Sequence, residues 1–152
     1  WLDSHSFGAQ FAEVAVDVTT GEVRVRRMLG VFAAGRIVNP LTARSQLVGG
    51  MAWGISMALH EEAVRDRASG GLYGADLAGY HVATHADVPA IEAHWVDDPD
   101  PDDPVGVKGL GEVGIVGAAA AVANAVWHAT GVRHRGLPIR PDRVLRAGGP
   151  RV

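Results

Sequence analysis

The sequence predicts an α+β fold, a hairpin-based sheet packed with two buried helices, and three observations carry that prediction. Near the N-terminus two stretches alternate apolar and polar residues around a Thr-Thr-Gly turn, which is the signature of a β-hairpin. A segment opened by Asn39-Pro40 repeats apolar residues at every fourth position. A later segment, Val113 to Trp127, is apolar except for Asn124. The chain has 152 residues, 47% hydrophobic and 20% charged, enough for one domain with its own core, taken as 1–152. Its ends, 1–5 and 146–152, read as flexible, and the absence of a start or signal pattern at Trp1 reads as a piece of a longer chain.

In the first strand, Ala12, Val14, Val16 and Val18 share one side, and Glu13 and Asp17 the other. Thr19, Thr20 and Gly21 form the turn, and Val23-Arg24-Val25-Arg26 resumes the alternation before the apolar run Met28 to Phe32. Asn39 can cap free amides, and Pro40 at the first helical position loses no hydrogen bond, so a helix is expected over about Leu41 to Ala63. Its stripe is Leu47, Met51, Ile55 and Leu59. Gly49, Gly50 and Gly54 should each cost about 1 kcal/mol there, so close packing or ligand approach must offset them. Arg65 to Gly79 reads as loop, and Ile91 to Val96 as a short strand. Asp97 to Pro104 holds five acids and three prolines and is expected to be a solvated loop. Val113 to Trp127 is too short for the roughly 20 residues that cross a bilayer and reads as a fully buried helix, ended by Gly131 in a left-handed cap. The elements do not alternate as βαβ units.

Composition excludes several functions. Fourteen basic against seventeen acidic side chains give a net charge of −3, with no electrostatic footing for a nucleic-acid backbone or an anionic membrane. Cysteine is absent, so this chain alone holds neither a disulfide scaffold nor an iron–sulfur cluster. His81 and His85, and His60 beside Glu61 and Glu62, lack partners at metal-ligand spacing. No serine sits in a G-x-S-x-G elbow. Trp53, Trp95 and Trp127 read as packing residues.

The chemistry-bearing segment is Gly106 to Gly117. It contains a formal G-x-G-x-x-G at Gly109, Gly111 and Gly114, but an Asp/Pro loop precedes it where a dinucleotide fold needs a buried strand. Glu112 is then the residue of interest, a lone carboxylate between a glycine-rich loop and an apolar helix. The helix terminus would favour its charged form and desolvation the neutral form, so it can be read as a general base or as a helix cap.

Five motifs in order, Phe7-Gly8-Ala9-Gln10 before a Glu-Val-x-Val-Asp strand, Thr-Gly-Glu, Gly35-Arg36-Ile37-Val38-Asn39-Pro40, Gln46-x-x-Gly49-Gly50 and Lys108-Gly109-Leu110-Gly111-Glu112, carry a resemblance. The sequence resembles the molybdenum hydroxylases, in the C-terminal part of the molybdopterin-binding large subunit of the xanthine dehydrogenase and aldehyde oxidase family. Val113-Gly114 after the glutamate, where many members have Pro-Pro, is closer to bacterial aldehyde-oxidising members. The resemblance implies hydroxylation of aldehydes or N-heterocycles with water-derived oxygen, with Glu112 as base. It places Gln46 near a molybdenum–molybdopterin cofactor, in the cytosine dinucleotide form, and Lys108, Gly109 and Gly111 in the loop shaping the pocket. It implies partners as well: the rest of the subunit, and iron–sulfur and FAD domains or subunits, without which this part would be inactive. A cytoplasmic location is expected, with a periplasmic one as the alternative. A non-catalytic assembly domain that keeps the fold without cofactor is the alternative reading.

Overall fold

The computed structural model describes residues 5–146, so the expected flexible ends fall outside the described residues except for His5 and Arg146. Strand β1, Phe7–Val16, pairs antiparallel with β2, Val23–Ala33. Asp17 closes the hairpin: its Oδ1 accepts from the Thr19 and Thr20 amides, and Gly21 turns the chain with φ +76°. Between Glu13 and Val14 the register shifts, leaving Arg26 as the extra residue of a bulge. Ala12, Val14 and Val16 pack against the core as their alternation requires, while Val18 lies beyond the strand and is exposed.

Helix α1, Pro40–Leu59, starts where the sequence places it, with Asn39 Oδ1 accepting from the Leu41 and Thr42 amides at 3.0 and 3.2 Å. It ends four residues before Ala63. The reason is tertiary: Ile139 N donates to the Ala58 carbonyl at 2.7 Å, and the His60 and Glu61 amides both turn back to Ser56 O. The chain tail thus takes the acceptor that another helical turn needs. Leu47, Met51, Ile55 and Leu59 are all buried.

The segment expected to be loop contains a small hairpin, β3 (Val64–Arg65) with β4 (Leu72–Tyr73), organised by Asp66 accepting from Ala68 and Ser69. Strand β5, Ala90–Trp95, then joins β2 in parallel, giving the order β1-β2-β5. The path β2–α1–β5 is therefore a crossover of βαβ type, a correction to the reading that none occurs. A parallel pair needs such a long connection, and the sheet face toward α1 supplies its apolar cover.

Helix α2, Ala118–Thr130, is shorter and less buried than the apolar run suggests. Gly114 and Gly117 delay its start, and Val113 to Gly117 run as turns. It faces the core with Ala118, Ala119, Val122, Val126 and Thr130, while Ala120, Asn124 and Trp127 are exposed. Gly131 ends it with φ +72°, and Arg133 lies 4.0 Å over the Trp127 ring while bonding Asn124. Trp95 packs against the core, but Trp53 is 62% exposed and is no packing residue of this chain. A short α3, Pro141–Arg146, buries Val144.

Candidate functional site

Two anchors from the acidic loop fix the start of the glycine-rich segment. Asp103 Oδ1 accepts from the amides of Val105, Gly106 and Val107, which hold its carboxyl below the usual carboxylate range, the Val105 amide most strongly. Asp98 pairs with Lys108 Nζ at 2.6 Å, and the Lys108 side chain is only 8% exposed. The loop expected to be merely solvated therefore builds the approach to the site. Gly106, with φ +77°, accepts from the Arg36 amide at 2.7 Å, and Val107 bridges to Gly35. The Gly35-Arg36 segment and the start of this loop are thereby joined edge to edge.

From Gly109 onward the loop is held by side chains reaching its carbonyls. Ser6 Oγ donates to Gly109 O, Gln46 Nε2 to Gly111 O at 2.7 Å, and Gln10 Nε2 to Val113 O and Gly114 O at 3.2 and 3.0 Å. Glu112 stands between these holds. Its side chain is exposed, not set in an apolar pocket, and enters no hydrogen bond or ion pair among the described residues. It is also not a helix cap, because the N-cap of α2 is Gly117.

The glycines divide by their neighbours. A Cβ at Gly50 would lie 3.0 Å from Gly114 and Ile115 backbone, one at Gly54 would lie 2.3 Å from Ala118 Cβ, and one at Gly114 would lie 2.8 Å from Leu47 O. Close packing of α1 on the loop and on α2 thus accounts for Gly50, Gly54 and Gly114. At Gly49, Gly109 and Gly111 a Cβ meets nothing within 4 Å among the described residues, and none of the three has positive φ. Beside Lys108 and Leu110, a groove of about 380 Å³ is lined also by Arg36, Asn39, Thr42 and Gln46.

The structure brings Gln46, Gly109, Gly111 and Glu112 onto one exposed loop surface, with Lys108 turned to Asp98. Sequence reasoning gave Gln10 no role beyond its place in a motif and missed Asp98 and Asp103. For Gln10 a signal existed, since it is in phase with Ala12, Val14 and Val16 on the inward face of β1, where a polar residue needs a partner.

Comparison with known proteins gives the family. The family described as the molybdopterin cofactor-binding domain matches residues 3–89, which include the hairpin and Gln46. The aldehyde oxidoreductase molybdenum-binding subunit PaoC of Escherichia coli K12 is 52% identical over 141 residues, covering 92% of this chain and 19% of that protein. The putative xanthine dehydrogenase molybdenum-binding subunit XdhA of the same organism is 40% identical over 139 residues, 91% of this chain and 18% of that one. In the crystal structure of the aldehyde oxidoreductase from Desulfovibrio desulfuricans, 35% identical, the match has a TM-score of 0.85 over 93% of this chain and 15% of that one. The class is that of molybdopterin-binding domains. The chain belongs to the molybdenum hydroxylase family, in its molybdopterin-binding subunit, and spans about a fifth of the length of the curated relatives it matches. A match of 141 residues in a chain of 152 necessarily takes in Lys108 to Glu112.

Proposed function

We propose that this chain is the base-carrying part of a molybdenum-dependent oxidoreductase that hydroxylates aldehydes or N-heterocycles with water-derived oxygen, Glu112 acting as general base. The observation that carries the reading is the exposed Glu112 carboxylate, without a hydrogen-bond or ion-pair partner among the described residues, on a loop whose carbonyls are bonded from both β1 and α1. A side chain with no structural partner on so firmly held a backbone is placed for use outside its own fold.

The residues fit a bound pterin group. Open backbone at Gly109 and Gly111 lets a flat molecule lie against the loop, and Gln46 is exposed beside it. Lys108 acts through the loop it anchors to Asp98. The molybdenum–molybdopterin group, here proposed as the cytosine dinucleotide form, supplies the two-electron redox chemistry when bound. Glu112 accepts a proton at its carboxylate from the oxygen nucleophile as that oxygen attacks an electrophilic carbon. Desolvation of Glu112, which these residues do not provide, comes from the cofactor and the rest of the subunit.

The rest of the subunit completes the cofactor site, so residues 1–152, one domain in this reading, are inactive alone. Iron–sulfur and FAD subunits carry electrons away. Among the described residues no helix is long and apolar enough to cross a membrane, and a cytoplasmic enzyme is the proposal.

In the complete enzyme, Glu112→Gln keeps size and hydrogen bonding but removes the base. Turnover should fall by roughly 10² to 10⁴, with molybdenum content and melting temperature nearly unchanged. A metal-replete, stable variant with near wild-type turnover would sink the assignment.

A further inference from the structure

Gln10 lies on β1, 103 and 104 residues away in sequence from the two carbonyls it binds. Those carbonyls belong to Val113 and Gly114, immediately after Glu112, and Gln46 holds Gly111 immediately before it. Glu112 is thus bracketed by two side-chain amides from two different elements.

The orientation of the Gln10 amide is fixed. Both acceptors are carbonyl oxygens, so only the nitrogen end can face them. Its Oε1 is buried without a partner among the described residues, and the position a Cβ would take on Gly117 is only 3.3 Å from Gln10 Cδ. A buried acceptor left unpaired is normally selected against. The amide at this position therefore does something that an apolar residue of the same length would not.

We infer that Gln10 is a positioning residue for the proposed reaction: by seating Val113 and Gly114 it sets where the Glu112 carboxylate stands. The inference rests on Glu112 being the base. Gln10 touches neither the reacting atoms nor the cofactor surface at Gly109 and Gly111, and acts through the backbone that follows Glu112. A displacement of about 1 Å at a catalytic group can cost on the order of 10²-fold in rate, so loosening one side of the bracket is enough to be measured.

The test uses the complete, metal-loaded enzyme and the variant Gln10→Met, which keeps length and loses the N–H donors. A second variant, Gln10→Glu, keeps shape and sets an oxygen against the two carbonyls. Each is made with Glu112 and with Glu112→Gln. Turnover per bound molybdenum and amide hydrogen exchange across Val113 to Gly117 are measured on the same preparations.

The expected result is a fall of tenfold or more in kcat with little change in KM when Glu112 is present, under twofold when Glu112 is already Gln, and faster exchange at Val113 to Gly117. Effects acting through one group do not multiply, whereas a general structural defect lowers both backgrounds by the same factor. An equal factor in both backgrounds, or turnover per metal within twofold of wild type, overturns the inference. Glu112→Gln retaining turnover while Gln10→Met loosens the loop instead overturns the assignment of the base.

Discussion

Gly111 and Gly114 are three positions apart in one loop and answer to different neighbours. A methyl group on Gly114 would meet the backbone of Leu47, whereas one on Gly111 would meet open space. The same contrast recurs in α1, where Gly54 presses on Ala118 and Gly49 faces nothing within 4 Å. Gly54 and Gly114 are demanded by the chain's own packing. Among the described residues neither crowding nor backbone strain demands Gly49, Gly109 or Gly111, and in the proposed function the cofactor or the rest of the subunit supplies the missing reason.

The most forceful way to break this contrast is to fill both kinds of position. Gly114→Ala must displace the Leu47 backbone and should destabilise by about 1–3 kcal/mol, the range for overpacking, and a thermal scan would show the lowered transition. Gly111→Ala should leave stability within about 0.5 kcal/mol, as for a surface substitution, but lower molybdenum content or turnover several-fold. Metal analysis checks it: full loading and full turnover in Gly111→Ala would mean the open half is not a seat.

A finer distinction separates the loop by charge. Its entrance is held by the ionised Asp103 and by the Asp98–Lys108 pair, its far half by neutral amides of Gln10 and Gln46. Because its amide donors lower the Asp103 pKa, the contribution of Asp103 is complete above the unfolded-state value of about 3.9 and is lost as pH falls through the folded value. Below about pH 4, relative to pH 6, amide exchange corrected for intrinsic rate should rise at Val105 to Val107 and hold at Val113 to Gly117. A small effect of the same sign belongs to His134, whose pKa is lowered, first by burial and then by Arg143. A depressed histidine costs stability as pH drops below about 6.5, so His134→Asn should flatten the melting temperature between pH 7 and about 5.5.

Much of this architecture is legible in the sequence wherever the cause is local. Alternation defines the hairpin, and Asn39-Pro40 with the stripe from Leu47 to Leu59 defines α1. What escapes is set by distant partners. The end of α1 is decided by Ile139, eighty residues on from Leu59, and the parallel register of β5 by the crossover rather than by its own pattern. The site divides in the same way. Glu112 and Gln46 stand out through their motifs, and Gln10 could have been found from its phase on β1. Asp98 and Asp103 could not, because within a run of five acids nothing local distinguishes the two that fold inward from those that face water.

The bonds that seat the loop span 103, 104 and 65 residues, which orders events in time. A ribosome finishes the hairpin while about seventy residues remain before the first glycine of the loop is made. Closing such long intervals is slow relative to forming a hairpin or a helical turn, although its entropic cost grows only logarithmically with length. Ser6, Gln10 and Gln46 are therefore translated well before the carbonyls they bond. The contacts that seat Glu112, the residue on which the proposed chemistry depends, are thus among the last whose partners are made.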